Sequence, residues 1–214
     1  MKLSDLAREY DIHDPRLDHP VFNSMDNVTR QGATLAASIL MTCSQAGYDV
    51  LKARKIIDFG AGNGASALPL GLLAERSGGS VDSLEICSNL DWAKKIEQLD
   101  IERHLPVRVH GVDGLEWISS RAQEGKRYDL ITGCWFAPDD VGDRIRGLLS
   151  VSRQALASSG LLIVYSDLPT MESVRNACDE ESVNYKRIDE QQYPSTSYQA
   201  DTVVIRQPNL RELK

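Results

Sequence analysis

The chain of 214 residues holds only four cysteines, Cys43, Cys87, Cys134 and Cys178, and no two of them form a CxxC pair. That spacing excludes a zinc ribbon, a dithiol redox motif and a disulfide framework. Each thiol lies in or beside an apolar element, so the expectation is reduced cysteines, most of them buried, and no metal site. No apolar run approaches the length that crosses a bilayer. The first residues, Met1-Lys2-Leu3-Ser4-Asp5, lead into a charged stretch and not an apolar signal region, so a cytoplasmic protein is expected, with no membrane partner. Positive charge is also scarce, with 24 Lys and Arg against 31 Asp and Glu, a formal net charge of −7. That balance argues against tight non-specific binding to nucleic acid or anionic membrane. The basic clusters, Lys52 to Lys55, Arg103 to His110 and Lys126-Arg127, are small and interrupted and read as solvated surface. Repeats, low-complexity tracts and long linkers are lacking as well.

What is present is an ordinary globular composition, 42% hydrophobic and 26% charged, in a length that suits one domain with a large core. Residues 1–54 read as a helical segment. Ser4 can cap a short helix carrying Leu3, Leu6 and Tyr10, which Asp14-Pro15 and His19-Pro20 then break. A longer helix is expected from about Ser24, with Val28, Leu35, Ile39, Leu40 and Cys43 at helical spacing, stopping near Gly47. From Lys55 onward strands alternate with helices. The strands expected are Ile56–Phe59, Val81–Glu85, Val107–His110, Tyr128–Thr132 and Leu161–Tyr165, the last a fully apolar run of the buried parallel type. Between them the expected helices are Ser66 to Glu75, Asn89 to Asp100, Glu116 to Arg121 and Asp140 to Ala157, the last ended by Gly160. Thr170 is expected to cap one more, carrying Met171, Val174, Ala177 and Cys178.

Two further strands, Tyr185–Ile188 and Thr202–Ile205, flank a linker too short for a crossover helix, so they must pair as an antiparallel hairpin. The expected fold class is therefore α/β: a doubly wound, seven-stranded, mostly parallel sheet with helices on both faces and a closing hairpin.

Chemistry concentrates in the first strand-to-helix turn, Asp58-Phe59-Gly60-Ala61-Gly62-Asn63-Gly64. Gly60 and Gly62 permit a tight turn and let the backbone approach a ligand without an intervening Cβ. Gly64 opens the helix, whose first amides favour an electron-rich group. Asp58 lies inside the strand, two residues before the first glycine, where a carboxylate suits a cationic ligand and repels a pyrophosphate. The run Gly60-Ala61-Gly62-Asn63-Gly64-Ala65 nonetheless also satisfies the dinucleotide fingerprint G-x-G-x-x-G/A. Glu85 ends the second strand, where an acid can accept hydrogen bonds from ribose hydroxyls in either kind of pocket. Asp113-Gly114 follows the third strand and can bind an adenine amino group, or serve only as a helix N-cap with a turn glycine.

With these residues and the terminal hairpin in place, the sequence resembles the class I S-adenosylmethionine (SAM)-dependent methyltransferases. The resemblance runs from about Lys55 to Gln207 and is specific to the superfamily, not to a subfamily. It implies a SAM-binding domain over 55–214 and a lid or substrate cap over 1–54. It also implies SAM as the cofactor and an enzyme that transfers a methyl group. On that resemblance Asp58 lies near the methionyl amino group, directly or through water. Phe59, Gly60, Ala61, Gly62 and Asn63 pass along the methionyl and ribose portions. Glu85 binds the ribose and Ile86 lies against the adenine. Asp113, with Gly114 beside it, reads the adenine amino group, and Cys134 lies where the backbone closes over the methionyl portion.

After the fourth strand the segment Gly133-Cys134-Trp135-Phe136-Ala137-Pro138-Asp139-Asp140 lacks the Asn/Asp-Pro-Pro-Tyr/Phe motif of many amino-methylating enzymes, which argues against methylation of base amines. Right after the fourth strand, Thr132-Gly133-Cys134-Trp135 also lacks the catalytic Asp that spermidine-synthase-like enzymes place there, which argues against aminopropyl transfer.

Transfer from a sulfonium is an in-line displacement, in which positioning and desolvation supply much of the rate. His13, His19 and Asp139 are candidates for a general base, or ordinary surface-loop residues. Residues Tyr10 to Asn23 can fold over the pocket. Trp135 and Phe136 can line an acceptor site or simply pack in the core, and Arg30 can reach the SAM carboxylate or lie on a solvated helix face. An acidic chain with no appended nucleic-acid-binding domain points to a small-molecule or peptide acceptor, with nucleic acid disfavoured. Two other functions stay open: an NAD-dependent oxidoreductase, which predicts an all-parallel sixth strand, and a catalytically silent nucleotide-binding module.

Overall fold

A computed structural model of the chain describes residues 39, 42–43, 45–62, 66–85, 105–134, 141–188 and 200–206. The strands are β1 (Lys55–Phe59), β2 (Ser80–Glu85), β3 (Val107–Gly111), β4 (Tyr128–Cys134), β5 (Leu156–Asp167), β6 (Lys186–Ile188) and β7 (Ala200–Arg206). The helices described in full are α1 (Ala67–Ser77), α2 (Gly114–Gln123), α3 (Val141–Ala155) and α4 (Leu168–Glu180). The short initial helix, the segment expected to cover the pocket and the expected Asn89–Asp100 helix lie outside the described residues.

Strand neighbours run β3-β2-β1-β4-β5-β7-β6 in one seven-stranded sheet. β1 pairs in parallel with both β2 and β4, while β7 pairs antiparallel with β5 and with β6. The chain therefore winds outward from β1 to β3, then restarts at β4 on the other side. Such a switch point opens a crevice beyond the carboxyl ends of the strands, here above β1 and β4.

Successive side chains of a strand point to opposite faces, and here both faces are apolar. Ile56, Val81, Leu130, Leu161, Ile163 and Val204 pack on one side with α1, Ile39, Cys43 and Val50. Ile57, Phe59, Leu84, Ile131, Leu162 and Val203 pack on the other with Ile118 of α2, Ile145 and Leu148 of α3, and Val174 of α4. Two separate cores are the signature of a sheet covered on both faces. Cys43 and Cys178 are buried free thiols, and burial pushes each up to about 12, so both are inert.

The described end of the N-terminal helix stops where expected. Gly47 adopts a left-handed φ of 66°, and Tyr48 N–H donates to the Cys43 carbonyl at 2.8 Å, the long closing bond of a Schellman cap. Lys186 Nζ donates to the Gln45 carbonyl at 2.8 Å, and the Arg206 guanidinium donates to that of Ala46. Cations from the terminal hairpin thus complete the carbonyl end of this helix. Among the described residues no helix is long and apolar enough to cross a membrane.

Most boundaries differ from expectation by a residue or more, and three differences have a local cause. The helix expected to run to Ala157 ends at Ala155, and Gly160 lies inside β5 instead of terminating it. The cause is an irregularity in the sheet: Tyr128 faces Leu156 whereas Leu130 faces Leu161, so β5 bulges between them. α4 begins at Leu168, which leaves Thr170 inside its first turn and not at its cap. α2 is longer than expected because Asp113 caps it at Gly114.

Gly79, at the entry to β2, is the tightest point of the parallel crossover. A Cβ there would meet the Arg54 backbone at 2.3 Å, where Ser80 N–H donates to the Arg54 carbonyl at 2.7 Å. Gly79→Ala is expected to destabilise the fold by roughly 3 kcal/mol, read as a lower midpoint in urea unfolding.

Candidate functional site

The crevice at the switch point is built on Asp58. It is the fourth residue of β1, fully buried, and in register with Ser83 of β2 and Thr132 of β4. Oδ2 accepts from Ser83 Oγ at 2.8 Å and from Ser66 Oγ at 2.7 Å. Thr132 Oγ1 lies 3.4 Å from Oδ1 and 3.3 Å from the Ile57 carbonyl. Burial pushes the carboxyl up to about 6, and the hydroxyl donors, which favour the charged form, offset this only in part. Ser66 is the N-cap residue of α1, yet its side chain makes no capping bond, because the hydroxyl is spent on Asp58.

Above this carboxylate the glycine turn folds back on β2. Gly60 and Gly62 have φ of 72° and 53°, the left-handed region where a side chain is disfavoured. Gly60 N–H and Ala61 N–H both donate to the Leu84 carbonyl at 3.0 Å. Gly62 N–H donates to Glu85 Oε2 at 2.8 Å. The glycine turn and the acid of the second strand, separate signals in sequence, therefore form one hydrogen-bonded unit.

Asp113 lies at the end of β3 and caps α2. Oδ1 accepts from Leu115 N–H at 2.8 Å and Glu116 N–H at 3.2 Å, while Arg144 of α3 approaches Oδ2 at 3.5 Å. The capping role weighed from sequence is thus realised. Gly114 brings the start of α2 against Phe59, since a Cβ there would lie 2.7 Å from the ring. Cys134 is the last residue of β4. Asn63 and Ile86 lie outside the described residues, as do Arg30, His13, His19, Trp135, Phe136 and Asp139. Sequence reasoning missed Ser66, Ser83, Thr132 and Arg144. The signal for two of them was legible as a hydroxyl residue interrupting an apolar strand, Ser83 beside Leu84 and Thr132 after Ile131.

Two outcomes follow from this geometry. Asp58 has a higher pKa folded than unfolded, so its proton stabilises the fold: the gain is full below 3.8 and is lost as pH rises through about 6. The ionised carboxylate therefore costs on the order of 3 kcal/mol at neutral pH. Asp58→Asn is expected to lack this pH dependence, so that wild type gains stability relative to the variant as pH falls from 8 to 5 in paired denaturant titrations. Gly114→Ala is expected to lose about 1–3 kcal/mol by overpacking against Phe59, seen as a lower melting temperature.

No protein-family model and no curated protein sequence matches the chain. Solved structures do. A SAM-dependent methyltransferase from Agrobacterium tumefaciens is 15% identical with a TM-score of 0.52, over 74% of this chain and 58% of that one. A fibrillarin pre-rRNA processing protein from Methanococcus jannaschii is 15% identical with a TM-score of 0.54, over 73% and 68% of the two chains. The rRNA methyltransferase aviRa from Streptomyces viridochromogenes is 16% identical with a TM-score of 0.51, over 75% and 79%. The chain thus spans less than two thirds of the Agrobacterium protein. The rRNA proteins overturn the expectation that nucleic acid is disfavoured as a partner. The fold occurs in rRNA proteins as well, and net charge is no argument against an RNA partner, because phosphate contacts need only local cations. The oxidoreductase alternative predicted an all-parallel continuation, whereas β7 runs antiparallel between β5 and β6. Strand order and likeness agree that the chain has the fold of the class I SAM-dependent methyltransferases.

Proposed function

We propose that the protein is a SAM-dependent methyltransferase whose cofactor lies across the glycine turn and the ends of β1, β2 and β3. The observation that carries this reading is the Gly62 N–H to Glu85 carboxylate bond at 2.8 Å. It holds an acid at the end of β2 beside a turn whose glycines leave the backbone bare, which supports Glu85 as the acceptor for the ribose hydroxyls. The donor set fits the molecule: carboxylates at Asp58 and Glu85 favour a cationic ligand with a diol and offer a pyrophosphate only repulsion.

In this reading the cofactor site comprises Asp58, Phe59, Gly60, Ala61, Gly62, Asn63, Glu85, Ile86, Asp113, Gly114 and Cys134. Glu85 binds the ribose hydroxyls and Ile86 lies against the adenine. Asp113, anchored by its cap to α2, reads the adenine amino group. Phe59 packs against Gly114 and keeps the ends of β1 and α2 together. Cys134 ends β4, where the backbone closes over the methionyl portion. When bound, SAM would supply an electrophilic methyl on a sulfonium, open to in-line attack by an acceptor nucleophile with SAH as the leaving group. The chain's part is to orient the two reactants and exclude water. Residues 1–54, of which Ile39, Cys43, Ala46, Val50 and Ala53 are buried in the core, would close the site from the N-terminal side. The acceptor belongs to one of three classes: small molecule, peptide or nucleic acid.

Isothermal titration is expected to give heat with SAM and S-adenosylhomocysteine (SAH) and none with NAD; NAD heat without SAM heat would refute the cofactor. Glu85→Ala is expected to weaken SAM binding roughly ten- to a hundredfold, as removal of a charge-assisted hydrogen bond does. Tritiated SAM with cell extract, resolved into protein, nucleic-acid and small-molecule fractions, identifies the acceptor. No label in any fraction would point to a silent binding module.

A further inference from the structure

Burial disfavours the charged form of Asp58. A fully buried carboxylate whose partners are three neutral hydroxyls, with burial outweighing their help, is a position at which a neutral side chain would serve folding better. Its geometry indicates what the charge does. Ser66 Oγ reaches Asp58 Oδ2 across a separation of eight residues, and the residues between them are the glycine turn. The same oxygen accepts from Ser83, the residue before the Leu84 carbonyl and the Glu85 carboxylate that hold the turn's amides. One carboxylate oxygen thus closes the base of the turn and ties it to the strand on which the turn rests.

We propose that Asp58 is a positioning residue, an ionised clamp that acts through Ser66 and Ser83 to hold the glycine turn in its ligand-binding form, so that ligand affinity is lost in mild acid. The proposal rests on the cofactor reading above and adds to it how the turn is held. Protonation removes the charge that strengthens these bonds, so the hydrogen bonds from Ser66 and Ser83 weaken from charge-assisted to ordinary ones and hold the turn less tightly. Among the described residues Glu85 on β2 is the charged side chain acting on Asp58. β2 and β4 otherwise present Ser83 and Thr132, and α1 presents Ser66. Burial that places the carboxyl near 6 puts the change within reach of a binding experiment.

The test has two readouts, one of them independent of any ligand. Amide hydrogen exchange at pH 8 is expected to show Gly60, Ala61 and Gly62 at least tenfold less protected in Ser66→Ala than in wild type, with protection restored in Ser66→Thr. Titration with SAH is expected to show wild-type affinity falling by up to about tenfold from pH 8 to pH 5, the ceiling for a single group that titrates near 6. Asp58→Asn should bind weakly at both pH values while melting no lower than wild type at pH 8, an outcome that a merely structural role would not produce. Unchanged protection in Ser66→Ala, or wild-type SAH affinity in both Ser66→Ala and Asp58→Asn, would overturn the clamp. If Asp58→Asn does not fold, it overturns the claim that the charge opposes stability, and the Ser66 pair decides the clamp. Absence of SAH and SAM heat in wild type would sink the cofactor reading and the acid dependence with it, while the exchange data decide the clamp.

Discussion

A carboxylate sealed in the middle of a sheet must be held by something, and Asp58 is held from three sides. Ser83 comes from β2, Thr132 from β4 and Ser66 from the start of α1. These elements meet where the strand order reverses, so the bonds to Asp58 add side-chain ties to the backbone pairing of β1 with β2 and β4 at the crevice. Everything above depends on them. The turn between Asp58 and Ser66 has both ends anchored on one carboxyl group, and its amides close on Leu84 and Glu85. Buried polar networks of this kind are worth having only when every member is satisfied, and here each oxygen of Asp58 has at least one partner.

The two apolar layers give this polar knot its rigidity. Ile56 and Ile57 on β1 point to opposite cores, so the strand carrying Asp58 is gripped on both faces. Phe59 sits under the glycine at the start of α2, and Asp113 caps that helix while pairing with Arg144 of α3. The third strand end is thereby fixed relative to the first. The same logic operates at the far side of the molecule, where Lys186 and Arg206 hold the carbonyl end of the N-terminal helix. That helix end is part of the core, which ties the entrance of the domain to its terminal hairpin.

How much of this was legible in the sequence differs by element. The turn was, because Gly60 and Gly62 are residue types that only a positive φ or a close approach requires. The terminal hairpin was, because the linker before β7 is too short for a crossover. The bulge in β5 was misread: Gly160, where a Cβ would meet the Ala157 and Tyr128 carbonyls at 2.9 and 3.0 Å, marks the irregular pairing, but in sequence the same glycine reads equally well as the end of the preceding helix. Thr170 failed as a cap signal because a helix start is set by where the strand before it ends, and Asp167 still pairs in the sheet.

Local chemistry thus determined the alternation of strands and helices, the seven-stranded sheet with its closing hairpin, and the residue types at the strand ends. Each follows from periodicity, turn residues and linker length, all of which act within a few residues. Tertiary structure alone decided that Ser66, Ser83 and Thr132 converge on Asp58, that Glu85 closes on Gly62, and that Asp113 turns to α2 and Arg144. Those contacts join residues up to 74 positions apart, and register between strands, which no single strand encodes, is what brings them together.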